Sequence, residues 1–201
     1  IAEYTFNNTH TNINGNAAFS SNAGTSFVTD RHGNSNGAIN INNSGSNATI
    51  AGLSYGAGAR TISVWAKTNV LNSVINYVFH YGNTANGNGL AFRPTTILYF
   101  ENGGANLELS NTNANNTWVH YVCTYDGTTA KVYKDGVLFS SGPKTFNTVN
   151  NSDIFKLGVA ETGAVTYFNG AIDDLKIYNY VLNTTEISNL YTSNMLTSEN
   201  F

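Results

Sequence analysis

The 201-residue chain is long enough to bury one sizeable core and short enough to form one domain with small additions. Hydrophobic residues make up 41% of it but charged ones only 10%, so Asn, Ser, Thr and Gly carry the solubility, residues that favour turns and strand edges over helix interiors. A net charge of −3 leaves no electrostatic footprint for nucleic acid or an anionic membrane, and no apolar run approaches the roughly 18 residues of a membrane span.

Taken in chain order, short strand signals recur between Gly/Asn/Ser turns, the spacing of a sandwich or barrel. Residues 1–6 alternate and predict the first strand; 7–18, rich in Asn and Gly, predict a loop. Short strands are expected at 38–41 and 48–50. Residues 61–68 (TISVWAKT) alternate, with Ile62, Val64 and Ala66 on one face and Ser63, Trp65 and Lys67 on the other. Residues 74–81 (VINYVFHY), 89–93 and 97–101 form a run of aromatic-rich strands. A long strand at 118–125 ends at Asp126-Gly127. A strand at 130–134, a second tight turn at Asp135-Gly136 and a strand at 137–140 follow, a strong hairpin signal. Strands at 154–159 and 171–178 close the pattern.

One helix is predicted, capped by Asn183 with Glu186 three residues on, and with Ile187, Leu190 and Tyr191 on one face. The fold expectation is therefore all-β: a two-sheet antiparallel jelly-roll β-sandwich with one short C-terminal helix, spanning 1–193, followed by a tail or linker at 194–201. With Ile1 opening strand-like sequence and no initiator Met, the chain reads as a processed product or an excised domain. Cys123, the single cysteine, can form no disulfide within the chain and reads as a small buried residue.

The order of these pieces resembles the laminin-G-like, concanavalin A-like lectin/glucanase jelly rolls of secreted Bacteroidetes-type proteins. The resemblance is carried by YTFNN at 4–8, TDRHGNSNGAI at 29–39, RTISVWAK at 60–67, WVHYVCTYDGTTAKVYKDG at 118–136 and FNGAIDDLKIYNYVLNTTEISNLY at 168–191. It implies a module of a larger secreted or cell-surface bacterial protein. It also implies one structural Ca²⁺, held by Asp173 and Asp174 with oxygens near the first strand, where Glu3, Asn7 and Asn8 are the available contributors and Asn7 is the chosen one. Hard oxygen donors are what Ca²⁺ requires. The competing reading has Asp173 cap local amides without metal.

Related sandwich enzymes that cut β-glucans pack two Glu and an Asp into one short strand, aiming carboxylates about 5–5.5 Å apart at one glycosidic bond. Here the Glu residues fall at 3, 101, 108, 161, 186 and 199, no two within five residues, and no G-x-S-x-G is present. No two His share a zinc-site spacing. His120 reads as a structural histidine, Trp65 and Trp118 as core, and Asp30 and Arg31 of the DRHG loop as turn formers. The expected function is a non-catalytic recognition module, carbohydrate-binding or adhesive. The alternatives are a structural or protein–protein adhesion spacer without a glycan site and, behind it, a polysaccharide-active enzyme.

The aromatic segment at 77–100 is where a glycan site is expected: a sugar ring wants a flat aromatic beside fixed hydrogen-bonding groups. The candidate ligand residues are Tyr77, His80, Tyr81, Arg93 and Tyr99, with Asn83 and Asn102 as further hydrogen-bonding groups. Regular alternation of VINYVFHY would place Tyr77, Phe79 and Tyr81 on one face and Val78 and His80 on the other. Because Phe79 is the most apolar, the open face would then carry His80 and Arg93.

Overall fold

The computed structural model describes residues 1–15, 17–20, 24–42, 44–69, 75–101, 104–160 and 167–193. The regular structure of the described residues is almost entirely antiparallel strand: β1 (Ala2–Tyr4), β2 (Thr25–Val28), β3 (Ala38–Ile41), β4 (Ser46–Thr49), β5 (Arg60–Thr68), β6 (Asn76–Tyr81), β7 (Asn88–Phe92), β8 (Thr96–Glu101), β9 (Leu107–Ser110), β10 (Val119–Tyr125), β11 (Thr129–Lys134), β12 (Val137–Pro143), β13 (Ile154–Leu157) and β14 (Gly170–Tyr178), then helix α1 (Thr184–Ser193). They form an eight-stranded sheet in the order β12-β11-β10-β5-β14-β3-β2, with β1 added on β14, and a six-stranded sheet in the order β4-β13-β6-β7-β8-β9. This is the two-sheet sandwich with one short C-terminal helix that the sequence predicts. Strands β2 and β9 are additions, each only four residues long: β2 (TSFV) has no fully buried residue and depends on its pairing with β3, whereas β9 (LELS) alternates, with Leu107 and Leu109 in the core. The expected strand start at Val74, the candidate Asn102 and the tail at 194–201 lie outside the described residues.

Local chemistry explains the connections. Asp135 and Gly136 both take positive φ, +50° and +79°, forming a two-residue turn between the paired Lys134 and Val137. At the other Asp-Gly, the Asp126 carboxylate accepts from the amides of Thr128 and Thr129 at 2.9 and 2.7 Å. The helix starts on a reciprocal capping box: Asn183 N–H donates to Glu186 Oε2 at 2.7 Å, and Glu186 N–H to Asn183 Oδ1 at 3.0 Å.

Three apolar clusters follow from strand alternation. The main core lies between the sheets: Ile62, Val64 and Ala66 of β5, Tyr121, Cys123 and Tyr125 of β10, and Ile172, Leu175 and Ile177 of β14 share it with Phe79, Leu90, Phe92, Ile97, Tyr99 and Phe155 of the small sheet. A second cluster, Val122, Tyr133, Leu182 and Ile187, lies on the outer face of the large sheet beneath α1. A third, Tyr77, Ala91, Leu98, Phe100 and Ala160, lies on the outer face of the small sheet.

On the α1 side, Trp65 stacks on His120 at 5.1 Å and on Tyr191 at 5.7 Å, while the Arg31 guanidinium sits 4.9 Å from the Trp65 ring. His120 is buried and hydrogen-bonded through Nε2 to Ser63 Oγ at 2.8 Å, so it is structural as expected, although under the helix rather than between the sheets. Trp65 is likewise covered; Trp118 is half-buried, with Lys67 Nζ 5.0 Å from its ring.

Inside the sandwich a polar network crosses from sheet to sheet. Arg60, 1% exposed, donates from Nη1 to Tyr81 Oη at 2.7 Å and Thr148 Oγ1 at 2.9 Å, and from Nη2 to Gly56 O at 3.2 Å. Thr148 Oγ1 in turn donates to Glu101 Oε2 at 2.9 Å, and Asn147 N–H to the same carboxylate at 2.7 Å. The rings of Tyr125 and Phe146 flank the guanidinium at 4.9 and 5.8 Å.

Two outcomes follow. Arg60→Met leaves Tyr81, Thr148 and Glu101 buried without their cation and is expected to cost about 3–5 kcal/mol in urea unfolding, against near-neutral change for Lys131→Met on the surface. His120 is held down to about 3 by burial first, then by the charges of Arg31 and Lys176. Its contribution to stability is therefore complete above the unfolded value near 6.5 and lost as pH falls toward 3. Between pH 6.5 and 4, wild type should lose on the order of 3 kcal/mol more than His120→Gln; equal slopes in denaturant titrations would refute this role.

Candidate functional site

Two pockets bear on function, one on each outer face. The first depends on an irregularity in β6. Pairing of β6 with β7 runs Tyr77↔Ala91 and then Phe79↔Leu90, so one residue of β6 is inserted between them. Val78 and Phe79 therefore both enter the main core, while Tyr77 and His80 share the outer face. Regular alternation is broken here, and Tyr77 is separated from Phe79 and Tyr81.

The result corrects part of the expected ligand set. Tyr81 and Tyr99 are 1% and 0% exposed and belong to the core between the sheets; Tyr81 is fixed there by Arg60. His80 is on the outer face but wholly buried: its ring stacks on Phe100 at 6.1 Å and lies so close to the Gly87 backbone that a Cβ there would fall 2.2 Å from Nε2. It supports Phe100 and offers nothing to a ligand. Asn83 is a turn former whose Oδ1 accepts from the amides of Ala85 and Asn86 at 3.1 and 2.7 Å.

Tyr77 and Arg93 do come together. With Ile75, Leu98, Phe100, Glu101, Gly104 and Asn106 they line a pocket of about 190 Å³. The Tyr77 and Phe100 rings, 5.8 Å apart and inclined by 58°, form its wall, each showing only a small part of its surface, 7% and 5%, to solvent. Arg93 is exposed at its rim and Asn106 half-exposed. Glu101 reaches the pocket, but its carboxylate is turned to Asn147 and Thr148. Leu98 and Asn106 carried no signal in the sequence, since only the β7–β8–β9 pairing brings them beside Tyr77.

The second pocket, about 200 Å³, lies on the large sheet and is lined by Thr5, Asn7, Asp30, Arg31, His32, Asn34, Asp173 and Asp174. It thus unites Asn7, Asp173 and Asp174. Register shifts between Asp173 and Lys176 where β14 meets β5, and Asp174 has φ +43°, so adjacent carboxylates turn to the same partner. That partner is Arg31, which pairs with both. Arg31 thus makes a long-range contact instead of fixing its own turn. Asp30 does fix the turn, accepting from the amides of His32 and Asn34 at 2.8 and 2.9 Å. Glu3 is committed elsewhere, to Lys176 at 2.7 Å. Burial, followed by the Asp174 charge, holds the Asp173 carboxyl well above the usual carboxylate range, with Arg31 opposing.

Among the described residues no three His, Cys, Asp or Glu side chains converge to hold a metal unaided, and no helix is long and apolar enough to cross a membrane. Known proteins place the sandwich in context. No curated protein matches the sequence. Among solved structures, domain 4 of AbnA, a GH43 extracellular arabinanase from Geobacillus stearothermophilus, in complex with arabinotriose, matches with a TM-score of 0.73 at 21% identity, over 94% of this chain and 97% of that one. The botulinum neurotoxin serotype G binding domain matches at 0.74 and 18% identity, over 92% of this chain and 49% of that one. The serotype D ligand binding domain, in complex with N-acetylneuraminic acid, matches at 0.75 and 16% identity, over 98% and 51%. The chain therefore spans about half the length of the toxin domains and nearly all of the arabinanase domain. At these identities the likeness establishes fold. The sequence itself goes further: residues 35–188 match the family described as the Concanavalin A-like lectin/glucanases superfamily, and with three-quarters of its length inside that match the chain belongs to this superfamily.

Proposed function

We propose that the protein is a non-catalytic recognition module that binds a glycan in the pocket on the outer face of the small sheet, as part of a larger secreted or cell-surface protein. The observation that carries this is the pairing of an aromatic wall, Tyr77 and Phe100, with the polar rim of Arg93 and Asn106. The wall suits the apolar C–H face of a sugar ring, and the rim suits its hydroxyls. Complexes of structurally similar domains with arabinotriose and with N-acetylneuraminic acid support a sugar as the ligand class. The carboxylates argue against hydrolysis: Glu101 is spent on Asn147 and Thr148, and Asp173 and Asp174 on Arg31.

A structural Ca²⁺ in the large-sheet pocket is part of the same reading. The donors are of the right kind, with hard oxygens on Thr5, Asn7, Asp30, Asp173 and Asp174. Two of these residues, Asp173 and Asp174, are adjacent carboxylates sharing a single guanidinium, a crowding of negative charge that a dication would offset. Asp173, Asp174 and Asn7 would hold it, sharing the carboxylates with Arg31. Bound there, it would supply a fixed charge that locks the β14 irregularity to the segment after β1. With its pKa raised on folding, Asp173 alone favours the folded state at low pH and loses that contribution as pH rises through the folded value.

A broad glycan array on the purified chain should return specific hits, and Asn106→Ala should weaken the best of them by about 1–3 kcal/mol with Tm unchanged. A blank array would favour a structural spacer, and reducing-end release from polysaccharide above a buffer control would overturn the non-catalytic reading. For the metal, Ca²⁺ at a hundredfold excess over Kd should add about 2.7 kcal/mol of stability, and this gain should vanish in Asp174→Asn. The same Tm in Ca²⁺ and in chelator would remove Ca²⁺ from the account.

A further inference from the structure

Three arginines occur in the chain, and the fold spends two of them internally. Arg31 is paired with Asp173 and Asp174 and lies against Trp65. Arg60 is buried in the network of Tyr81 and Thr148. Arg93 is the third. It is exposed at the rim of the aromatic pocket, and among the described residues its guanidinium has neither an ion-pair partner nor a hydrogen bond.

Its backbone, by contrast, is held firmly. Arg93 N–H donates to Thr96 O at 2.7 Å across the Pro94–Thr95 turn, and Asn111 Nδ2 donates to Arg93 O at 2.7 Å. The side chain therefore starts from a fixed point beside Tyr77, Leu98 and Phe100. The pocket's acidic residue does not neutralise it: Glu101 is 4% exposed and its oxygens accept from Asn147 N–H and Thr148 Oγ1. Glu108, exposed on β9 opposite Leu98, makes no ion pair with Arg93. An open cationic fork thus stands at the rim of a pocket with aromatic lining, in a chain whose net charge is −3, so the positive character is local rather than a general property of the surface.

A guanidinium presents two parallel N–H donors at the spacing of a planar carboxylate, and it binds that group better than it binds a lone hydroxyl. We infer that the pocket prefers an acidic sugar, one carrying a ring or exocyclic carboxylate, with the carboxylate on Arg93 and the ring face on Tyr77 and Phe100. This inference rests on the glycan-binding reading and narrows its ligand class.

The test uses probes with and without carboxylates, titrated by calorimetry into the whole chain: 3′-sialyllactose against lactose, which lacks the sialic acid residue, and trigalacturonic acid, with three carboxylates, against its fully methyl-esterified form. The acidic member of at least one pair should bind about tenfold tighter or more. That ratio should shrink between 0.05 and 0.5 M salt and collapse to within about twofold in Arg93→Gln. Lys131→Gln, on the opposite sheet, should leave it unchanged. Equal affinity within both pairs, or a preference that survives in Arg93→Gln, overturns the inference. If a glycan array returns neutral hits while neither acidic probe gains over its partner, the inference fails and the glycan reading stands. If no glycan binds at all, both fall.

Discussion

The two sheets are joined across a core that is not uniformly apolar. Arg60, at the start of β5 in the large sheet, reaches Tyr81 of β6 directly and Glu101 of β8 by way of Thr148. Burying a guanidinium is expensive unless its donors are used, and here Nη1 and Nη2 reach four acceptors: Tyr81, Thr148, Ser54 O and Gly56 O. The geometry leaves little freedom. The network sets how β6 and β8 lie over β5 and anchors the connection from β12 to β13 through Asn147 and Thr148. The candidate pocket on the small sheet is built on that arrangement, since Tyr77 and Phe100 belong to the strands that Arg60 and Glu101 tie down.

Both candidate sites arise where a strand departs from regular alternation. In β6 one inserted residue sends Val78 and Phe79 to the same side and releases Tyr77 to the other. In β14 the irregularity at Asp174 brings two adjacent carboxylates onto Arg31, which alternation would have kept on opposite faces. A bulge costs ladder hydrogen bonds and is retained where it re-aims a side chain. The glycines of the small sheet serve the same end. Gly87 and Gly89 lie bare beneath His80 and Phe100, and a Cβ at either would come within 3 Å of those rings. The Phe100 wall therefore depends on the missing side chains as much as on the ring itself.

The two outer faces are also unequally covered. On the large sheet, α1 lies over Val122 and Tyr133, and its Tyr191 closes the stack with Trp65 and His120. Aromatic residues that would suit a sugar are thus withdrawn from solvent. On the small sheet, the cluster around Tyr77 and Phe100 carries the pocket with Arg93 at its rim. On both faces the rings are largely covered, Trp65 at 4% exposure and Tyr77 and Phe100 at 7% and 5%, and most of the other described Tyr and Phe residues fill the core, several of them stacked in pairs such as Tyr81 with Phe155 at 5.8 Å.

Much of this was legible in the sequence. The alternation of TISVWAKT assigned Ile62, Val64 and Ala66 to the core, the Asp-Gly pairs marked hairpins, and Asn183 with Glu186 marked the helix start, because each signal is local and is read within a few residues. The acidic pair at 173–174 and the aromatic segment at 77–100 were also recognisable as places where chemistry could gather. Which members of those segments line a pocket was not. Tyr81 and Tyr99 went to the core, His80 went beneath Phe100, and Asn83 went to a turn, while Leu98 and Asn106 entered the pocket without any sequence signal. A single inserted residue in β6 reverses the facing of everything before it, and nothing in VINYVFHY marks where the insertion falls. The partners of Arg31 and Arg60 lie more than a hundred and up to 88 residues away respectively, so only strand pairing could bring them together. Composition and periodicity determined the class of fold; register, which depends on contacts between distant strands, decided the site.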